Sequence, residues 1–389
     1  MKKGFWITPI LIMMLALVGC TTQTTSTSAS TAATISNSTA TTAATISPGS
    51  VPDSVSSIET TLESIYAKVN PSVVLINVNI PASGFSGASQ ALGSGFIWDN
   101  NGDIVTNDHV ISGASGMTVT FTDGTTVDAS LVGADADSDL AVIKVNPNGL
   151  QFQSVILGDS NTLKVGQLAI AIGNPFGLEN TMTVGYVSAI GRLVQGNQNA
   201  TGPTYSIPDI IQIDTPINPG NSGGVLLDDT GAVIGVTQSI ATSSGSSSGV
   251  GFAIPSSIIK QVIPSLIASG SYDHPYLGVT LTSLDPNMAG AMNLPSGQRG
   301  ALVEAVTSGG PADKAGIKAS NTNFTDNGQQ VSIGGDVIIA YNGQTVKTSD
   351  DLITFLTNSG SVGQQVTLTI LRNGKQIQVQ VTLGKRPSS

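Results

Sequence analysis

Short runs of apolar and β-branched residues, separated by turn residues, follow one another from Pro71 to about residue 255. Typical runs are "SVVLINV", "DIVTN", "LAVIKV", "LAIAIG" and "AVIGVTQ", with turns such as "DNNGD" and "TDGT" between several of them. About a dozen such strands without intervening helices predict a β-sandwich or barrel rather than a parallel α/β sheet. Helices are predicted on either side, over 56–70 and over "SSIIKQVIPSLIAS", the latter kinked or split at Pro264.

A second unit is predicted over 276–385, after a linker at 271–275. It combines strands such as "YLGVTL", "GALVEAV" and "DVIIAYNG" with a helix at "SDDLITFLTNSG". Its last two strands flank Asn373-Gly374, a strong signal for a tight hairpin. The polar stretch 319–333 is expected to be an extended loop. The whole unit is therefore predicted to be a small mixed α/β domain.

The first twenty residues have the features of an export signal. Lys2 and Lys3 precede an apolar run that ends in "LVGC", which resembles the bacterial lipoprotein cleavage box. This resemblance implies a signal peptide over 1–19, lipidation of Cys20, membrane attachment and an extracytoplasmic place in the cell envelope. The alternative is an ordinary secretory signal with an incidental cysteine. Residues 20–55 are rich in Thr, Ser and Ala, which predicts a disordered tether.

Composition excludes several classes of function. The net charge is −10 and no Lys/Arg cluster is found, which argues against a nucleic-acid partner. Cys20 is the only cysteine and there are two histidines, so neither an internal disulfide nor a zinc site is expected. The "DNNGD" stretch lacks the later glutamate of a full calcium loop and fits a hairpin turn. No metal or cofactor is predicted.

The candidate nucleophile is Ser222, within "TPINPGNSGG". A serine hydroxyl needs a neighbouring base, and His109 at the end of a predicted strand is better placed than His274 in the linker. Asp139 precedes an apolar strand, so its carboxylate can be held against the core and orient the histidine. The neighbouring carboxylates are expected at the surface: Asp108, Asp135 and Asp137.

The order His109, Asp139, Ser222 is that of chymotrypsin-type folds. An esterase of the Gly-x-Ser-x-Gly type is disfavoured because a strand, not a helix, follows the serine. The glycines around Ser222 allow backbone N–H groups to converge on an oxyanion, and Gly220 and Ser222 are the candidate donors.

The motifs "TNDHV", "SDLAVIKV", "GNPFGL", "INPGNSGG" and "GFAIP" together resemble the HtrA (Deg) family of envelope serine proteases, from about residue 56 to 384. The resemblance implies a mainly β fold: a chymotrypsin-like double β-barrel over 56–270, then a PDZ domain over 276–385. It also implies ATP-independent cleavage of unfolded or damaged proteins, and a homotrimer or larger assembly. The triad transfers as His109, Asp139 and Ser222, with Gly220 in the oxyanion hole.

The resemblance also implies that the PDZ domain binds peptide C-termini. Its carboxylate-binding loop would be Tyr276, Leu277, Gly278 and Val279, and its groove or adjoining core would include Leu352, Phe355 and Leu356. The primary pocket is expected to be lined by Thr215, Pro216 and Ile217 and by the stretch "GVTQSIA". No acidic residue stands at its expected floor, unless a shifted register brings in Asp214. Cleavage after small or aliphatic residues is therefore expected. The alternative function is a lipid-anchored chaperone or scaffold that does not cut.

Overall fold

The computed structural model describes residues 53–82, 88–174, 180–195, 206–238 and 249–387. The predicted signal peptide, Cys20 and most of the predicted tether lie outside these residues. None of the helices in the described ranges combines the length and apolarity needed to cross a membrane.

The first helix, α1 (Asp53–Val69), begins three residues before the predicted start and packs against the barrels that follow. Ile65 and Val69 are each 5% exposed and belong to the largest hydrophobic cluster, while Tyr66 Oη donates to Asn180 O at 2.7 Å. The opposite face is solvated, and Ile58 is exposed there. The helix thus buries one apolar stripe, as its spacing predicts.

The first barrel closes in the order β1-β2-β3-β6-β5-β4, with every pair antiparallel. Its apolar side chains fill a separate cluster that includes Ile76, Ile104 and Ile143, each 0% exposed. A short helix, α2 (Asp108–Ile111), follows β3 directly. The strands are β1 Val73–Ile80, β2 Ser89–Ile97, β3 Asp103–Thr106, β4 Gly116–Thr120, β5 Thr126–Asp135 and β6 Leu140–Val145.

The second barrel closes in the order β10-β11-β12-β9-β8-β7. Its strands are β7 Leu168–Gly173, β8 Thr181–Gln195, β9 Ser206–Ile213, β10 Val225–Leu227, β11 Val233–Gln238 and β12 Gly251–Pro255. Helix α3 (Ser256–Ser269) then packs its buried residues on the barrels and ends at Gly270, whose φ is +77°. Pro264 lies inside α3. Of the two predicted outcomes, the split is wrong, and the kink stays a prediction.

The C-terminal domain is built on a mixed core of strands and one long helix. Its sheet runs β14-β15-β18-β20-β21, with β19 beside β18, while β13 pairs with β22. The helices are α4 Pro286–Ala291, α5 Pro311–Lys314 and α6 Ser349–Ser359. The strands are β13 Pro275–Tyr276, β14 Val279–Ser283, β15 Ala301–Val306, β16 Thr322–Asp326, β17 Gln329–Ile333, β18 Val337–Tyr341, β19 Gln344–Thr345, β20 Gln365–Arg372, β21 Lys375–Thr382 and β22 Gly384–Lys385. The fold-class prediction, a mainly β double barrel followed by a small α/β domain, is confirmed.

The stretch 319–333 is where the prediction of an extended loop is wrong. It contains an antiparallel hairpin, β16 paired with β17, closed by Asn327 and Gly328. Their φ values of +47° and +84° are both left-handed, as a type I′ turn requires. The same chemistry closes the last hairpin at Asn373 and Gly374, which was predicted.

The C-terminal domain contacts the first barrel through the turn between β5 and β6. His274 Nε2 lies 2.8 Å from Asp135 Oδ2, and Arg386 Nη1 donates to Asp137 Oδ2 at 2.9 Å. Ser138 Oγ also donates to Asp135, which is 8% exposed. Asp135 is therefore buried rather than at the surface as predicted, because a histidine far along the chain pairs with it. His274, whose side chain is 10% exposed, is thus a contact residue between the two domains.

Candidate active site

Three connections at the ends of strands supply the candidate triad. His109 is the second residue of α2, two positions after the N-cap Asn107, and does not lie at the end of the strand as predicted. Asp139 ends the turn between β5 and β6, with a left-handed φ of +53° that an aspartate tolerates better than most residues. Ser222 lies between β9 and β10, so the second barrel supplies it while the first supplies the other two.

The Asp139 carboxylate contacts both the ring Nδ1 and the backbone N–H of His109. His109 Nδ1 lies 2.8 Å from Asp139 Oδ2, and the His109 backbone N–H donates to Asp139 Oδ1 at 3.0 Å. The carboxylate is 5% exposed and the imidazole 34%. An ionised carboxylate only accepts, so Nδ1 carries the proton and Nε2 is left as the basic nitrogen. The pair can orient a general base.

Two amides fix Asp139 in turn. Gln238 Nε2, at the end of β11, donates to Asp139 Oδ2 at 2.8 Å, and Asn107 Nδ2 donates to the Asp139 carbonyl at 2.9 Å. The sequence analysis gave neither residue a role in holding Asp139. Gln238 follows Asp139 by 99 positions, and no local pattern signals a contact between barrels. Asn107 stands within "TNDHV", so its place in that motif was the available signal.

The charges around His109 favour its protonated form. Burial lowers the pKa of His109, but the hydrogen bond to Asp139 and the charges of Asp139 and Asp108 outweigh it, so the pKa lies above 6.5. Burial, then the charges of Asp139 and Asp135, raise the pKa of Asp108 from 3.8 to about 6 against the lowering effect of His109. Asp108 is half-buried beside the histidine, so the prediction of a surface group is wrong. The helical turn removes the strand alternation on which that prediction depended.

Activity is expected to fall as the pH drops through the raised pKa of His109, because only the neutral imidazole accepts a proton. Asp108→Asn removes a negative charge that stabilises the imidazolium, so the acid limb of kcat/KM should move to lower pH. The plateau at higher pH should stay unchanged, since Asp108 takes no part in proton transfer. Profiles of kcat/KM between about pH 5 and 8, where most proteins are near their maximal stability, measure this. The matched control is Asp128→Asn, at an exposed position of the same barrel; superimposed limbs for Asp108→Asn and wild type would contradict the electrostatic account.

The loop around Ser222 is a narrow turn in contact with both barrels. Asn221 N donates to Asn218 O at 3.0 Å and Gly223 N to Thr237 O at 3.0 Å, while Ser222 O accepts Ser94 N at 2.8 Å. Ser222 is 4% exposed.

The narrow turn leaves no room for a side chain at Gly223. Its φ is +85°, and a Cβ on it would lie 2.1 Å from Ser94 O. Gly220 also has a left-handed φ, of +97°. Side chains at these positions would be strained or would collide, so the glycines are required by the backbone path.

Residues from both predicted halves of the peptide groove line one cavity in the C-terminal domain. The cavity measures about 340 Å³ and extends to Leu193 and Ser206 of the second barrel. Phe355 does not line it and instead stacks on Tyr341, with ring centroids 6.4 Å apart. The predicted residues that do line it are Tyr276, Leu277, Gly278, Val279, Leu352 and Leu356.

The described acidic clusters are occupied by protein contacts. Asp135, Asp137 and His274 offer ligand atoms within 4.8 Å of one another, but the Arg386 guanidinium already neutralises Asp137. In the "DNNGD" turn, Asp99 Oδ1 accepts Asn101 N at 2.8 Å, and Asp103 pairs with Lys144 Nζ at 2.9 Å. In both clusters the carboxylates thus have hydrogen-bonding or charged partners within this chain.

Comparison with known families divides the chain as the fold does. Residues 93–236 match the family described as trypsin-like peptidase domain, and residues 275–383 match the PDZ domain.

Several relatives are similar over most of the chain. A probable periplasmic serine endoprotease DegP-like of Brucella suis is 41% identical over 298 residues, which cover 77% of this chain and 53% of the relative. The chloroplastic Protease Do-like 1 of Arabidopsis thaliana is 38% identical over 343 residues, covering 87% and 75% respectively. The chain thus spans about half the length of the DegP-like relatives and three quarters of the plant protein.

The fold is similar to solved structures as well. One is described as the HtrA-type protease AlgW with tripeptide; it is 33% identical, has a TM-score of 0.68, and the match covers 84% of this chain and 98% of that one. A serine endoprotease from Yersinia pestis is 28% identical with a TM-score of 0.58, covering 84% and 98%.

Proposed function

Because this chain belongs to the HtrA (DegP-type) family of serine proteases, we propose that it is an ATP-independent serine endopeptidase of the cell envelope that cleaves unfolded or damaged proteins. The observation that carries the proposal is the buried Asp139 carboxylate bound to His109 Nδ1 at 2.8 Å, with Ser222 on a glycine-shaped loop of the facing barrel. This arrangement supplies the parts that acyl transfer through a serine requires.

In the proposed mechanism, His109 Nε2 takes the proton of Ser222 Oγ while the oxygen attacks the substrate carbonyl. Asp139 stabilises the imidazolium, which then protonates the leaving amine. The N–H groups of Gly220 and Ser222 bind the oxyanion, each lowering the barrier by roughly 2.7–4 kcal/mol. The Gly220 N–H donates to no oxygen of the described residues, which leaves it available for this role. A water molecule then attacks the acyl-enzyme, again with His109 Nε2 as the base, and hydrolysis frees Ser222.

The pocket beside Ser222 favours small or aliphatic side chains before the cut. Ile217 is 6% exposed, and a Cβ at Gly251 would lie 2.9 Å from its Cγ1, so apolar atoms dominate this wall. Asp214 is exposed and its Oδ1 instead accepts the Tyr186 N–H at 2.6 Å. Selection of Lys or Arg would require an acidic floor, and this carboxylate is committed elsewhere.

The C-terminal domain is proposed to bind peptide C-termini in the cavity between Tyr276–Val279 and α6. The peptide would add a strand to the sheet edge, its carboxylate would meet backbone N–H groups, and its last side chain would contact Leu277, Leu352 and Leu356. Lipidation of Cys20 and assembly into a homotrimer or larger homo-oligomer complete the proposal. The lipidation is inferred from the sequence motif alone, because Cys20 lies outside the described residues. The assembly is inferred from the family.

Degradation of one substrate protein in folded and unfolded forms, without ATP, tests the proposal. The soluble form starting at Asp53 should fragment the unfolded substrate and spare the folded one, because an extended chain is needed to reach Ser222. Mass spectrometry of the fragments should place most cuts after small or aliphatic residues.

The Ser222→Ala variant is the control in that experiment. Fragments from both proteins would show that Ser222 is not the nucleophile, and a majority of cuts after Lys or Arg would contradict the pocket assignment. Protection of the unfolded substrate from aggregation, with no fragments from the wild type, would favour the chaperone alternative.

A further inference from the structure

Two hydroxyl groups from outside the Ser222 loop hold consecutive carbonyls within it. Thr237 Oγ1 donates to Asn221 O at 2.5 Å, and Ser94 Oγ donates to Gly220 O at 2.6 Å. Thr237 stands on β11 of the second barrel and Ser94 on β2 of the first, and they are 1% and 0% exposed. Hydrogen bonds this deeply buried compete with no water and fix the groups they join.

The Asn221 carbonyl and the Ser222 N–H belong to the same peptide unit. A trans peptide is planar, so its carbonyl and its N–H point in opposite directions. Holding Asn221 O against Thr237 therefore sets the direction of the Ser222 N–H, one of the two proposed oxyanion donors. Gly224 N also donates to Asn221 O, at 2.9 Å, but from within the loop itself. Thr237 is the anchor outside it.

The Gly220 carbonyl has a comparable need for an anchor. Gly220 has a φ of +97°, and a glycine without Cβ rotates between backbone conformations at little cost. Ser94 Oγ fixes the carbonyl side of Gly220 and so limits the orientations open to the residue that supplies the other proposed donor. Asn221 N, in the same peptide unit as the Gly220 carbonyl, donates to Asn218 O at 3.0 Å from within the loop, so Ser94 is the anchor outside it.

The Ser94 hydroxyl is itself oriented. It accepts the Asn174 N–H at 2.7 Å, so its single proton is left to donate to Gly220. The backbone of Ser94 is fixed as well, since its N–H donates to Ser222 O at 2.8 Å and its carbonyl accepts Thr106 Oγ1 at 2.7 Å. The hydroxyl and the N–H of Ser94 thus both join the first barrel to the Ser222 loop, while its carbonyl is held by a hydroxyl within the first barrel.

We propose that Ser94 and Thr237 are positioning residues for the oxyanion hole, acting on the transition state through the Gly220 and Asn221 carbonyls without touching substrate. The inference rests on the proposed function of Ser222 as nucleophile. The oxyanion forms only after attack, so a misdirected donor affects the transition state and leaves substrate binding intact. Displacing a reacting group by about 1 Å can cost about 100-fold in rate, and deleting a donor costs about 100- to 1,000-fold.

Thr237→Val is the main test, because valine keeps the shape of threonine and removes only the hydroxyl. We expect kcat on a short peptide substrate to fall about 10- to 100-fold with KM unchanged. The inhibition constant of a peptide trifluoromethyl ketone, whose adduct places an oxyanion in the same site, should rise by the same factor. The acid limb of kcat/KM should not move, since His109 and Asp139 keep their contacts. Thr237→Ser should restore kcat.

Ser94→Ala is the second test, with Ser256→Ala as its matched control. Ser256 is also 0% exposed, accepts a backbone N–H from Ser160 at 3.0 Å and donates to the Gly158 carbonyl at 3.1 Å. Both variants should therefore lose similar thermal stability, but only Ser94→Ala should lose kcat and inhibitor affinity. If Ser94→Ala does not fold, the Thr237→Val and Thr237→Ser pair decides alone.

The outcomes separate the two proposals. An active wild type with wild-type kcat in Thr237→Val would overturn the inference and leave the proposed function standing. A wild type whose turnover does not depend on Ser222 would overturn the proposed function and the inference with it.

Discussion

Ser222→Ala is expected to lower kcat by at least about 10⁴-fold, since removal of a triad nucleophile leaves only oxyanion stabilisation and substrate binding. Ser222 is 4% exposed in a loop whose glycines follow a left-handed path, and its carbonyl is held by Ser94 N at 2.8 Å. Alanine fits this path without strain, so the fold should persist. The loss should therefore appear in turnover and not in thermal stability.

Steady-state kinetics on a short peptide substrate, with thermal unfolding beside it, measure this expectation. The matched control is Ser72→Ala, which removes a hydroxyl that is equally buried, at 1% exposure, at the start of the first barrel. That control should keep kcat. A Ser222→Ala variant with a kcat within a factor of about 10 of wild type would have far more activity than a disabled triad retains. That result would exclude Ser222 as the nucleophile.

Asp139→Asn is expected to lower kcat at neutral pH by about 10⁴-fold, through the wrong histidine tautomer. Three donors converge on the two carboxylate oxygens: the backbone N–H of His109, its Nδ1–H and Gln238 Nε2. Asparagine offers one oxygen and one NH₂ group, so its NH₂ must face at least one of these donors. The conflict is relieved when Nδ1 gives up its proton and accepts, which places the proton on Nε2 and removes the base.

Kinetics and the stability of the variant separate this effect from a general loss of buried charge. Asp103→Asn is the matched control: Asp103 is 2% exposed, belongs to the same barrel and pairs with Lys144 at 2.9 Å, away from the imidazole. It should lower stability and keep kcat. Equal losses of kcat in the two variants would refute the assignment of Asp139 as the orienting carboxylate.

The fold class could be predicted because it is carried by local signals. Short apolar and β-branched runs between turns mark many strands of both barrels, and Asn373-Gly374 marks the last hairpin. The hairpin in 319–333 was missed although Asn327-Gly328 carries the same signal, since polar residues dominate its strands and no apolar alternation marks them. At Pro264 the prediction left a kink or a split open, and the split does not occur because packing of α3 on the barrels outweighs the local helix-breaking preference.

The candidate site could be predicted only in part, for reasons of distance along the chain. His109, Asp139 and Ser222 stand in motifs whose order is informative. Gln238 and Thr237 act across 99 and 16 residues respectively, and such contacts follow from the closure of the barrels and not from any nearby pattern. A threonine or glutamine in an apolar strand was the one available signal, namely a polar residue placed where burial demands a partner.

The carboxylates show how tertiary context overrides a local interpretation. Asp108 and Asp135 were expected at the surface, yet one is half-buried beside His109 with a pKa of about 6, and the other binds His274. For Asp108 the short helix α2 replaces the expected strand, and for Asp135 the start of the C-terminal domain supplies a partner.

The central claim, that Ser222 is an activated nucleophile, is tested most directly by covalent labelling. The soluble wild-type protein is incubated with a fluorophosphonate, and the modified residue is located by peptide mass spectrometry, with Ser222→Ala and Asp139→Asn treated in parallel. The account predicts one adduct, on Ser222, that is absent from Ser222→Ala and forms far more slowly in Asp139→Asn. An adduct on another residue, or equal labelling of wild type and Asp139→Asn, would contradict it.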